Sequence, residues 1–108
     1  MATTVSGIAP QTKRITLDAV AGNCLAVVLP ENCRRCTLQF TDSGGTAAAG
    51  KFSRAAESDG AAMSVDAFPI SAGSAYELTI ATGGRVIGGE TIYLSGSAAG
   101  YCYLDLEA

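Results

Sequence analysis

The sequence contains no histidine and no tryptophan. Histidine is the commonest general base, the commonest metal ligand and the usual partner of a nucleophilic serine or cysteine. A glycosidase needs only two carboxylates in one cleft, but nearly all of the 10 acidic residues fall in turns or at outward strand positions. We therefore expect that the protein is not an enzyme and needs no cofactor.

Charged residues are scarce as well. They make up 16% of the chain, against about a quarter of a typical globular protein, while 48% of residues are apolar. So little charge predicts that part of the surface is covered by copies of the same chain, as in a homo-oligomer, or by another partner. The net charge of -3 provides no basic field for phosphates, and no run of 18 apolar residues occurs, so we expect neither a nucleic-acid nor a membrane partner.

The N-terminal segment MATTVSGIAPQTKR is rich in small and polar residues and has no charged region followed by an apolar one. We expect no secretory signal and a protein that is made and folded in a cytoplasm. Residues 1–13 are interpreted as an N-terminal arm in which Val5 and Ile8 are the apolar anchors. Residues 14–108 are interpreted as a single domain, because a chain of 108 residues is too short for two cores.

Short segments that alternate apolar and polar residues follow the arm, with turn signals between them. In residues 67–81, Pro69 and a small-residue corner lead into the alternating Tyr76, Leu78 and Ile80. Strands are also predicted near residues 14–19, 25–29, 36–41, 50–54, 61–65, 86–87, 91–95 and 101–107, and the first two are expected to form a hairpin. Within the alanine-rich residues 46–67 a short helix is the alternative, but strands are favoured because no helical stripe of large apolar residues occurs there. The pattern predicts an all-β fold, a small antiparallel β-sandwich or jelly roll of roughly seven to nine short strands.

Cys33 and Cys36 form a CxxC motif, and Cys24 and Cys102 complete the set of four cysteines. A zinc site needs converging thiolates and usually a second closely spaced pair, whereas a disulfide requires an oxidising compartment. The second pair is missing, and Cys36 and Cys102 fall at inward positions of predicted strands. Buried structural thiols are therefore favoured over a disulfide and over a metal site.

Tyr93, Tyr101 and Tyr103 fall at outward positions of predicted strands, which are interpreted as neighbours. Sugar-binding platforms and protein interfaces both use exposed aromatic rings of this kind. The sequence shows no tryptophan and no clear acidic or amide partner beside these rings. A protein interface is therefore favoured over a carbohydrate site.

From about Ile15 onward, the segments PENCRRCTLQF, TDSGGTAAAGKF, DGAAMSVDAFPISAGSAYELTI and TIYLSGSAAGYCYLDLEA resemble small accessory virion proteins of tailed bacteriophages. These are β-sandwich proteins encoded among head and tail genes. The resemblance implies a structural role, either as a capsid decoration or cement protein on the assembled shell or as a neck, tail or spike component. It implies location in the virion after assembly in the host cytoplasm, and a partner that is the major capsid protein or another virion protein.

The candidate partner-contact residues come from the arm, from a basic corner and from the outward tyrosines. They are Thr3, Val5, Ile8, Pro10, Arg34, Arg35, Tyr93, Tyr101 and Tyr103. The alternative function, from a different class, is a carbohydrate-binding or receptor-binding β-sandwich module.

Overall fold

The computed structural model describes residues 3–54, 56–79 and 90–108, and these residues form two β-sheets with no helix. The strands are β1 (Thr3–Thr4), β2 (Gln11–Thr16), β3 (Leu25–Val28), β4 (Arg35–Asp42), β5 (Gly50–Ser53), β6 (Phe68–Ile70), β7 (Tyr76–Thr79), β8 (Thr91–Gly96) and β9 (Gly100–Glu107). The predicted small all-β sandwich is confirmed. The strand predicted at residues 86–87 lies outside the described residues.

Sheet A has the strand order β1-β3-β8-β5-β6, and sheet B has the order β2-β9-β4-β7. Every pair is antiparallel except β1 with β3. The predicted hairpin of the first two segments is wrong, because β2 pairs with β9 and β3 pairs with β8 in the other sheet. Alternation of apolar residues specifies which face of a strand is buried, but it does not specify the neighbouring strand.

The core lies between the inner faces of the two sheets, and its largest part comes from β4 and β9 in sheet B and β8 in sheet A. These strands contribute Cys36, Leu38, Phe40, Ile92, Leu94, Cys102, Leu104 and Leu106, each at most 1% exposed. Their predicted alternation is confirmed, since successive strand residues point to opposite faces.

The N-terminal segment lies along its own domain. Thr3 and Thr4 pair with β3, and Val5 is buried in the core. The Asn32 side chain holds Ala9 by accepting a hydrogen bond from its N–H at 2.9 Å and donating one to its carbonyl at 2.8 Å. Strand β2 begins at Gln11, so the sandwich includes the last residues of the segment interpreted as an arm.

Residues 46–67 were predicted to contain two short strands. The first is confirmed as β5, whereas residues 61–65 form no strand and make only an isolated bridge between Ala62 and Asn23. Polar and small residues here bond to the edge of β3 instead of extending a ladder. The Asp59 carboxylate, for example, accepts a hydrogen bond from the Ala26 N–H at 2.8 Å.

All four cysteine thiols are free and fully buried. Cys36 and Cys102 lie on inward strand faces as predicted, and the Cys33 thiol donates to the Arg35 carbonyl at 3.2 Å. Burial raises the pKa of the Cys102 thiol to about 12. Burial, reinforced by the nearby Glu57 and Asp59 carboxylates, raises the pKa of Cys24 to about 11, so the reactive thiolate forms are suppressed.

Gly50 sits directly above an aromatic ring of the opposite sheet. A Cβ atom at this position would lie 2.5 to 2.7 Å from ring carbons of Phe40. We expect Gly50→Ala to reduce the free energy of unfolding by about 1–3 kcal/mol, because an overpacked core must shift. Urea unfolding followed by circular dichroism measures this, with Gly44→Ala as the control, since a Cβ there meets only a carboxylate oxygen at 3.4 Å. Equal losses in the two variants would contradict this packing.

Stability is expected to fall as pH rises above 9. The Cys102 thiol ionises near its ordinary value of 9.0 in the unfolded chain but near 12 in the native protein. Within that window the native state holds more protons than the unfolded state, so the free energy of unfolding decreases with pH. Melting temperatures between pH 8 and 11 should therefore decline less steeply for Cys102→Ala than for the unsubstituted chain, even though the variant starts lower. Parallel declines would show that this thiol is not the cause.

Candidate functional site

No segment of the described residues covers the outer face of sheet B. Its outward side chains alternate with the core residues of the same strands, and each is exposed or half-buried. They are Thr12, Arg14, Thr16, Arg35, Thr37, Gln39, Thr41, Glu77, Tyr101, Tyr103, Asp105 and Glu107. We call this surface the open face.

In one half of the open face, two tyrosines project from β9, which lies between β2 and β4. The register places Tyr103 between Arg14 on β2 and Gln39 on β4. Tyr101 lies two residues before Tyr103, and the Arg14 guanidinium carbon lies 4.2 Å from the centre of its ring. This cation–π contact holds the long arginine side chain flat against the sheet. The result is a surface patch of two rings, a guanidinium and an amide.

The other half of the open face carries most of its acidic groups. Arg35 lies between Glu77 and Glu107, with nitrogen–oxygen distances of 3.8 and 3.5 Å, and the Thr12 hydroxyl donates to Asp105 at 3.4 Å. Exposed ion pairs of this kind contribute little to stability. Their effect is on the surface charge, because the open face is aromatic and cationic in one half and acidic in the other.

The three predicted outward tyrosines do not share one surface. Tyr101 and Tyr103 lie on the open face, whereas Tyr93 lies on β8 in sheet A and points away from the core on the opposite side of the sandwich. The interpretation of all three as lying on neighbouring strands is therefore wrong. Each strand has the expected alternation, but the chain changes sheet between β8 and β9.

The remaining predicted contact residues are dispersed. Val5 is 3% exposed and belongs to the core, so its side chain is not available to a partner in this conformation, whereas Ile8 is 74% exposed. Thr3 lies on β1 at the edge of sheet A, and Pro10 is exposed just before β2. Arg34 is exposed next to the open face, and its backbone N–H donates to the Glu107 carbonyl at 2.7 Å. Only Arg35, Tyr101 and Tyr103 of the predicted set lie together on the open face.

Arg14 and Gln39 were not predicted as site residues. Both occupy outward positions in segments that are correctly predicted to be strands. No other feature of the sequence marks them as site residues. They lie beside the tyrosines because β9 lies between β2 and β4. Local alternation along a strand does not specify this strand order. The structure thus supplies the amide neighbour that the sequence did not reveal.

The outer face of sheet A differs because the segment between β5 and β6 folds over it. Backbone hydrogen bonds fasten this segment to the start of β3, with Gly60 N–H donating to the Cys24 carbonyl at 2.8 Å and Cys24 N–H donating to Ala61 at 2.7 Å. Cys24 and Ala26 are buried beneath it although they lie outside the main core cluster. Part of one outer face is therefore covered by its own chain, whereas no described residues cover the other.

The covering segment leaves a groove of about 490 Å³ on sheet A. Its floor is one row of outward residues, Ser95, Lys51 and Pro69, on the adjacent strands β8, β5 and β6. Ala62 and Met63 of the covering segment line the groove as well. The surface is mostly apolar and contains a single ionisable side chain, that of Lys51.

Among the residues that the structure describes, no group of three or more His, Cys, Asp or Glu side chains is placed to hold a metal ion. In the same part of the chain, no helix is long and apolar enough to cross a membrane.

Comparisons with protein-family models, with curated proteins and with solved structures give no match to this chain. The features that bear on function are the open face, the groove and the resemblance of the strand and turn segments.

Proposed function

We propose that the protein is a structural accessory protein of a bacteriophage virion, a capsid decoration or cement protein that binds the assembled shell through its open face. The proposed partner is the major capsid protein or another virion protein. The same chemistry would serve a neck, tail or spike component. The observation that carries the proposal is the uncovered patch of Tyr101, Tyr103, Arg14 and Gln39 on sheet B.

The side chains of this patch are suited to protein association. Tyrosine and arginine are enriched at interfaces, where they bury a large area and supply polar groups at their tips. The stack of Arg14 on Tyr101 fixes both side chains before a partner arrives. Arg14 would therefore lose less conformational freedom on binding than an unstacked arginine would.

The size of the open face fits repeated weak contacts. Four strands spaced about 4.8 Å apart form a face roughly 20 Å wide, and the eight residues of β9 make it roughly 27 Å long. Its area, on the order of 500 Å², is smaller than the roughly 800 Å² that each partner of a stable binary complex buries. On a symmetric shell, copies that are linked as a homo-oligomer bind at many equivalent points, and the combined affinity exceeds that of any one contact. A decoration protein uses such an arrangement.

The test is sedimentation with undecorated capsids of the phage that encodes the chain. We expect the unsubstituted protein to sediment with the shells, and Tyr103→Ala and Arg14→Ala to bind at least about tenfold more weakly, as is typical of central interface residues. Tyr93→Ala is the matched control, because it removes a similarly half-buried tyrosine from the opposite side of the sandwich. No sedimentation of the unsubstituted protein, or equal losses in all three variants, would contradict the proposal.

A carbohydrate-binding module is the second candidate, favoured by the aromatic rings that lie beside a guanidinium and an amide. Sugars stack on aromatic faces and accept hydrogen bonds from such groups. On a glycan array, this function predicts binding that is lost in Tyr101→Ala and kept in Tyr93→Ala. If no glycan binds on the array and the protein binds to capsids, the carbohydrate-binding function is contradicted and only the structural role remains.

A further inference from the structure

The groove on sheet A has the dimensions and lining of a small-molecule site. Its volume of about 490 Å³ lies within the range of roughly 300–1,000 Å³ that is typical of ligand pockets. Ala49, Ala62, Met63 and Pro69 supply apolar surface. An apolar group that enters the groove loses its contact with water on several sides at once, and this burial favours binding.

The walls of the groove are held by hydrogen bonds of the backbone. Met63 N–H donates to the Gly22 carbonyl at 2.9 Å, next to the bonds that fasten residues 60 and 61 to Cys24. Elsewhere in the lining, Ser97 donates to the Ala49 carbonyl through both its N–H and its hydroxyl, each at 3.0 Å. These bonds shape the groove in the absence of a ligand, which lowers the entropic cost of binding.

The charge inside the groove has one sign. Lys51 is half-buried on the floor, and no carboxylate in the described part of the chain lies within ion-pair distance of it. The residues that the structure does not describe include no aspartate or glutamate. An ammonium group that is partly withdrawn from water and lacks a counter-charge interacts strongly with an anion that reaches it.

We propose that this groove binds a small organic anion, a carboxylate attached to an aliphatic or aromatic body. The carboxylate pairs with the Lys51 ammonium and accepts a hydrogen bond from the neighbouring Ser95 hydroxyl, while the apolar body lies against Met63 and Pro69. A cationic ligand is disfavoured by Lys51, and a fully polar anion gains nothing from the apolar walls. The site lies on the opposite side of the sandwich from the open face and does not depend on the proposed function.

The probe is 4-phenylbutyrate, and its neutral amide, 4-phenylbutyramide, is the matched comparison. Each is titrated into the ¹⁵N-labelled full chain while backbone amide signals are recorded by NMR. We expect saturable shifts at Met63, Ser95 and Ser97, with a dissociation constant of about a millimolar for the acid. The amide should bind about tenfold more weakly, because it cannot form the ion pair.

Lys51→Met removes the charge and keeps the length of the side chain. We expect this variant to bind the acid about as weakly as the amide, whereas Lys13→Met, which removes the only other lysine from β2 in sheet B, keeps the preference for the acid. Met63→Ser should weaken both probes and keep their ratio. Unchanged signals from β4 and β9 show that each variant is folded, and Lys51→Gln replaces Lys51→Met if those signals move.

Three results would overturn the proposal. One is the absence of saturable shifts in the groove up to about 20 mM acid, a concentration well above the expected dissociation constant. Another is equal affinity of the unsubstituted protein for the acid and the amide. The last is a Lys51 variant that is folded and binds the acid as well as the unsubstituted chain does.

Discussion

The pairing of β4 with β9 is the interaction on which the rest of the structure depends. Eight consecutive residues of β4 are in register with β9, from Arg35 opposite Glu107 to Asp42 opposite Gly100. The register begins at Gly100 because this residue has no side chain, and a Cβ there would collide with the Thr41 carbonyl. This pair is the centre of sheet B, with β2 and β7 added on either side. Its inward residues form the largest continuous part of the core.

The same pairing also produces the open face. Because side chains alternate along a strand, a register that buries Cys36, Leu38 and Phe40 necessarily turns Thr37 and Gln39 outward. Tyr103 then lies beside Gln39 for the same reason that Leu104 lies beside Leu38. The core and the candidate interface are thus two consequences of one set of backbone hydrogen bonds, and a shift of register by one residue would exchange them.

The two sides of the sandwich offer different chemistry. Sheet B presents a flat surface with aromatic, guanidinium and amide groups, which suits a large partner. The chain between β5 and β6 covers part of sheet A, and the groove beside it is mostly apolar and contains one lysine. The patch and the groove lie on opposite faces of the sandwich, so a ligand at one would not obstruct the other.

Local alternation and turn residues were enough to predict the fold class, most of the strands and which residues of each strand are buried. They also placed Cys36 and Cys102 in the core and Tyr101 and Tyr103 on the surface. Which strands are neighbours could be read only from the folded chain. The tertiary structure separated Tyr93 from the other tyrosines, brought Arg14 and Gln39 beside them, buried Val5 and formed the Lys51 groove. The physical reason is that strand order and the covering of a sheet by a distant segment depend on contacts between residues far apart in the chain, and local alternation has the same form for every possible partner.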